Sequence, residues 1–135
     1  THIMVTGTPL NDRLYHFVKS RSVLEDRVYE VERMESRMIM DGKSEEEIVL
    51  EVGKEREKLS NELDELAKTF IQENYENVLG PGVFIMLCNG FPYPVVTPVI
   101  EEIVNGAPEK FKNNQMVKGY METARENMKK LQTSR

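Results

Sequence analysis

Apolar residues recur at Leu10, Leu14, Phe17, Leu24, Val28, Val31 and Met38, in alternating steps of four and three if Arg21 and Glu35 hold two of the positions. Such spacing marks a helix that presents one narrow apolar seam to an antiparallel or coiled-coil partner. No Gly or Pro falls within residues 10–41. The pattern therefore predicts one helix of about 30 residues, roughly 45 Å long at a rise of about 1.5 Å per residue. Thr8-Pro9 supplies its start, a capping hydroxyl followed by proline at the first helical position. Asp41-Gly42-Lys43 supplies its end, because Gly42 is free to take a positive φ. Ser44 then opens a capping box, in which Glu47 reaches back to the Ser44 amide, and the run Glu45-Glu46-Glu47 complements the helix dipole. Ile48, Val52, Leu59, Leu63, Leu66 and Phe70 carry the same spacing through a second helix, expected to run to Asn77. Gly53 inside it costs about 1 kcal/mol relative to alanine, so this stretch is expected to be either weak or closely packed.

A tight turn makes neighbouring helices antiparallel. Folding about Gly42 brings Met38 near Ile48, Val28 near Arg56 and Glu57, and Phe17 near Leu66 to Phe70. The hairpin is then apolar at its open end and more polar through its middle, and the rest of the chain is expected to cover that end. Gly80-Pro81-Gly82 is expected to break the second helix. The apolar run Val83 to Leu87 fits a buried strand or a buried helical turn, and helix is favoured because no other strong strand is present to pair with it. Gly90 to Pro94 is irregular, since two prolines remove donors and fix φ. Thr97-Pro98 opens a short helix from Val99 to Val104, closed by Asn105-Gly106, and Pro108 starts a turn that holds Phe111. Asn113 or Asn114 caps a last helix with Met116, Val117, Tyr120, Met121, Ala124 and Met128 on one side. His2 to Thr6 alternate weakly and are too short for an independent strand. The expected class is all-α: a long antiparallel helical hairpin (9–78) with short C-terminal helices (81–132) packed on its open end. These form one domain (9–132), preceded by a remnant strand or linker (1–8).

Composition narrows the function. A chain of 135 residues suits one domain rather than two. Its 39% hydrophobic and 30% charged residues, with no Trp, fit thin helical layers better than a deep core. A net charge of -5 argues against a nucleic-acid partner, which requires a basic stripe. No apolar run approaches the roughly 20 residues of a membrane-spanning helix. Thr1-His2-Ile3-Met4 has neither a charged leader nor an apolar signal core, so targeting information is absent or trimmed away.

Candidate chemistry is sparse. The histidines, His2 and His16, fall in no Glu-x-x-His or His-x-x-x-His arrangement, and His16 reads as a surface partner of Asp12. Glu45, Glu46 and Glu47 form a solvated helix start. Glu55, Glu57, Glu62, Asp64 and Glu65 spread around the second helix without implying the pocket that acid-base catalysis needs. Arg21, at a seam position, could bind an anion, but Arg13, Arg21 and Arg56 are not clustered. A register role, pairing with Asp64 or a neighbouring acid across the hairpin, is favoured. Cys88, the one cysteine, can form neither an internal disulfide nor a Cys-x-x-Cys pair. Within Val-Phe-Ile-Met-Leu-Cys it reads as a small hydrophobe, and a single cysteine mildly favours a reducing compartment. No catalytic, cofactor-binding or metal-ligating residue is therefore assigned.

Three segments resemble a family: Val5 to Asp12, Phe70 to Gly80, and Thr97-Pro98 through Ala107-Pro108-Glu109-Lys110-Phe111 to Met121. Their layout is similar to the helical region of Bacteroidetes-type thiol-disulfide oxidoreductases of the thioredoxin/peroxiredoxin-like group. There an N-terminal β-rich domain precedes such helices and a thioredoxin-fold domain follows them. No position here matches the family's active-site pair. The resemblance implies a non-catalytic spacer or dimerisation module of a periplasmic or cell-envelope lipoprotein. It makes His2 to Thr6 the last strand of the β-rich domain, and Leu131 to Arg135 the lead into the redox domain. It also reverses the compartment suggested by the cysteine count. A helical interaction adaptor unrelated to redox chemistry is the alternative.

Overall fold

The computed structural model describes residues 9–133; the alternating stretch His2 to Thr6 and the Thr8 cap lie outside them. Among the described residues the fold is all-α, with no strand. Its helices are α1 (Pro9–Met40), α2 (Glu45–Glu73), α3 (Leu79–Cys88), α4 (Pro98–Asn105), α5 (Glu109–Lys112) and α6 (Gln115–Thr133). They form two compact units, one ending at Leu66 and the other beginning at Ala67. None of these helices is long and apolar enough to cross a membrane.

The first unit is the hairpin, and its turn is closed by local hydrogen bonds. Gly42 takes a φ of 76°, the left-handed conformation that a side chain would strain. The Lys43 amide donates to Met38 O at 3.0 Å and the Gly42 amide to Ile39 O at 3.1 Å, which together make a Schellman cap. Ser44 Oγ accepts from the Glu47 amide at 3.1 Å and starts α2. Val31, Met38, Ile48, Val52 and Leu59 are buried together, with Leu24, Val28 and Met34 packed against them. Each such side chain contributes about 1.5–3 kcal/mol when fully removed from water.

Register is marked by ion pairs that cross the hairpin. Arg21 Nε meets Glu25 Oε2 at 3.4 Å, one turn along its own helix, and both side chains are substantially exposed. Two pairs cross the hairpin, Glu35–Arg56 at 2.8 Å and Arg27–Glu62 at 3.6 Å. Moving back along α1 from Glu35 to Arg27 moves forward along α2 from Arg56 to Glu62, as antiparallel packing requires. Solvent reaches both pairs, so each stabilises the hairpin by only about 0.2–1 kcal/mol and acts chiefly on alignment. Gly53 is exposed, and a Cβ there would meet nothing within 4 Å. Close packing does not explain it, and only the loss of helix propensity remains.

The second unit begins with the last turns of α2, which stops at Glu73 rather than Asn77. Asn74 causes the stop: it is 1% exposed, and its Nδ2 donates to Phe70 O at 2.8 Å, occupying a carbonyl at the helix end. Asn77 Nδ2 donates to Asn74 Oδ1 at 2.8 Å, and Asn77 Oδ1 accepts from the Leu79 amide at 2.9 Å. Gly80-Pro81-Gly82 does not break a helix. It forms the first turn of α3, where proline costs little because its missing N–H has no intrahelical acceptor. The run Val83 to Leu87 is helical, as expected.

Thr97 Oγ1 accepts from the Ile100 amide at 3.4 Å to start α4, with Pro98 at the first position. Asn114, not Asn113, caps α6, its Oδ1 accepting from the amides of Met116 at 3.0 Å and Val117 at 3.3 Å. Met116 lies off the buried face at 52% exposure, because the inward stripe of α6 is Val117, Met121 and Ala124. Phe84, Ile100, Ile103 and Phe111, all fully buried, complete this core, with α6 packed across α3 and α5. Tyr75 donates its hydroxyl proton to Ile103 O and sets its ring edge-on to Phe111 at 5.0 Å.

Candidate functional site: a cation-rimmed groove

The segment joining α3 to α4 contains Pro92 and Pro94 and cannot satisfy its own backbone. Side chains of α6 do so instead. Tyr120 Oη donates to Val95 O at 2.8 Å and accepts from the Val95 amide at 3.0 Å, while Asn127 Nδ2 donates to Pro94 O at 2.8 Å. Burial raises the Tyr120 hydroxyl above its ordinary range, with the Val95 hydrogen bond opposing the rise, so it stays a donor at neutral pH. These bonds hold Val96, Thr97 and Pro98 beside the later turns of α6.

The outcome is an open groove of about 490 Å³. Val96, Pro98 and Met128 give it an apolar floor, and Thr97, Glu101, Arg125, Lys129 and Gln132 form its polar rim. Arg125 and Lys129 are exposed, stand one turn apart on α6, and join no ion pair among the described residues. Two cations against one carboxylate make the rim locally positive on a chain of net charge -5. The groove lining includes no cysteine, serine or histidine. An apolar surface beside two cations is complementary in character to an anionic group attached to an apolar one.

No protein-family model, curated protein or solved structure matches the chain.

The residues weighed from the sequence lie elsewhere. His16 is exposed, with its ring edge-on to Tyr15 at 5.7 Å. No cluster of His, Cys, Asp and Glu capable of holding a metal occurs among the described residues. Glu45, Glu46 and Glu47 are exposed on the first turn of α2.

Cys88 is 2% exposed, and burial pushes its thiol up to about 12 against a lowering hydrogen bond with Tyr120. It is therefore protonated at neutral pH and a poor nucleophile. Iodoacetamide is expected to leave the native chain unlabelled and to label Cys88 once denaturant unfolds it, as read by intact mass. Rapid labelling of the native chain would contradict this placement.

The ionisation of Asp64 is clearly disturbed. Burial, and then the adjacent Glu65 charge, raises its carboxyl above the ordinary 3.8. Protonated Asp64 therefore favours the folded state. That contribution is complete below 3.8 and is lost as pH rises through the raised value. Asp64→Asn is expected to raise the thermal midpoint at neutral pH, modestly because Asp64 is partly exposed. The gain should shrink on acidification below 3.8, and an unchanged gain would refute the account.

The groove was missed because its halves lie about 30 residues apart in the chain. The signal that was present is the pair Arg125 and Lys129, one turn apart on either side of Met128.

Proposed function

We propose that the chain is a non-catalytic helical spacer or dimerisation module of a cell-envelope thiol-disulfide oxidoreductase. The observation that carries this reading is the pairing of a long, doubly capped hairpin with a lone thiol that is buried and protonated. The segments whose order resembles the oxidoreductase family serve structural ends here: Phe70 to Gly80 builds the Asn74 turn, and Thr97 to Met121 supplies much of the second core. Redox chemistry then belongs to a neighbouring thioredoxin-like domain, which this module spaces from a β-rich one or pairs with a second copy. The deciding experiment is to read the coding sequence beyond Arg135. A Cys-x-x-Cys on a thioredoxin-like βαβ pattern supports the oxidoreductase reading, and its absence sinks it.

A helical interaction adaptor is the second reading. The hairpin turn favours it by exposing Ile39, Met40, Val49 and Leu50 at 60–85%. Affinity capture with the intact chain against Met40→Asp/Leu50→Asp tests it: an adaptor loses its partners in the variant, while unchanged capture argues against this surface.

A further inference from the structure

Two exposed surfaces of the chain have complementary chemistry. On the first turns of α2, Val49 is 65% and Leu50 60% exposed, with the exposed Glu46 and Glu47 one turn before Leu50. Gly53, next on that face, adds no side-chain bulk, since nothing lies within 4 Å of where its Cβ would stand. This surface is aliphatic and anionic. The groove between the start of α4 and the later turns of α6 is its counterpart: an apolar floor of Val96, Pro98 and Met128 under Arg125 and Lys129. Val49, Leu50, Arg125 and Lys129 are exposed among the described residues.

We propose that the hairpin tip of one copy docks in the groove of another. Val49 and Leu50 sit on Val96, Pro98 and Met128, and Glu46 and Glu47 face Arg125 and Lys129. A nucleic-acid backbone is a poorer occupant, because two cations beside the Glu101 carboxylate do not make a stripe. Each copy carries both a tip and a groove. A two-fold dimer satisfies both contacts reciprocally, whereas a head-to-tail arrangement yields longer assemblies. The inference rests on the dimerisation half of the proposed function and names the surfaces that would perform it.

Sedimentation of the intact chain over a range of concentrations tests the pairing. Three samples are needed: wild type, Arg125→Glu/Lys129→Glu and Glu46→Lys/Glu47→Lys, with circular dichroism confirming that each folds. The wild type is expected to self-associate, less so in high salt. Each variant alone should associate about tenfold or more weakly, because like charges then face one another. Mixing the two variants should restore association, since the reversed groove accepts the reversed tip. If each variant loses association and the mixture fails to regain it, direct tip-to-groove contact is overturned. Association undiminished in Arg125→Glu/Lys129→Glu overturns the docking site and leaves dimerisation through another face standing. A strict monomer at every concentration overturns the docking site and dimerisation together, with the spacer role decided separately by the sequence beyond Arg135.

Discussion

Replacing Gly80 with alanine is expected to lower the unfolding free energy by about 2–4 kcal/mol. An alanine Cβ at this position would stand 2.3 Å from Asn74 O, 2.9 Å from Asn74 C and 3.3 Å from Tyr75 Cα. All three atoms are backbone, so no flexible side chain can yield; the turn or the first turn of α3 has to move. The turn is poorly placed to do so, because Asn74 is bonded both to Phe70 O and to Asn77. Gly82, two residues on, is the control: a Cβ there meets nothing within 4 Å. Gly82→Ala should therefore change stability by well under about 1 kcal/mol. Urea denaturation followed by circular dichroism measures both variants, and equal midpoints would disprove the close approach at Gly80.

Phe111→Ala is expected to cost about 3–5 kcal/mol, the range for deleting a fully buried aromatic side chain and leaving a cavity. Phe111 is 0% exposed and meets Tyr75 edge-on at 5.0 Å and Phe84 at 5.5 Å. Edge-to-face contacts of this kind contribute about 0.5–1.5 kcal/mol beyond burial. Helix α5, Glu109–Lys112, is a single turn, too short to be stable without this anchor. Phe111→Leu keeps most of the volume and should cost less than about half as much. The check is thermal unfolding followed separately by helix content and by tyrosine fluorescence. A loss below about 1 kcal/mol in the alanine variant would mean that this ring does not organise the second core.

Much of the helical framework was legible in the chain, and Thr97-Pro98 shows why. Its proline, hydroxyl and Ile100 amide lie within a few residues, so their chemistry needs nothing distant. Misreadings arose where local chemistry was correct but its place in the fold was not. Gly80-Pro81-Gly82 does disfavour a helix interior, yet Asn74 had already ended α2, and that freed the tripeptide to begin α3. Arg21 and Glu35 were both polar residues on an apolar seam, indistinguishable by spacing. Glu35 is a cross-hairpin partner because Arg56 lies within reach of it, a distance that spacing along one helix does not carry. At the groove, Arg125, Met128 and Lys129 were visible as a helical face. Their partners were not, since Tyr120 and Asn127 bring Val96 and Pro98 there through long-range hydrogen bonds.

The sequence by itself determined the all-α class, the hairpin turn at Gly42, the capped start of α2 at Ser44 and the absence of a Cys-x-x-Cys pair. Each follows from bonding among close neighbours or from residue identity. Tertiary structure alone decided that Gly80 must lack a side chain, that Cys88 keeps its proton, and that two cations line an apolar groove. These depend on which backbone atoms, rings and charges meet across long stretches of chain, and helical periodicity carries no information about such distances.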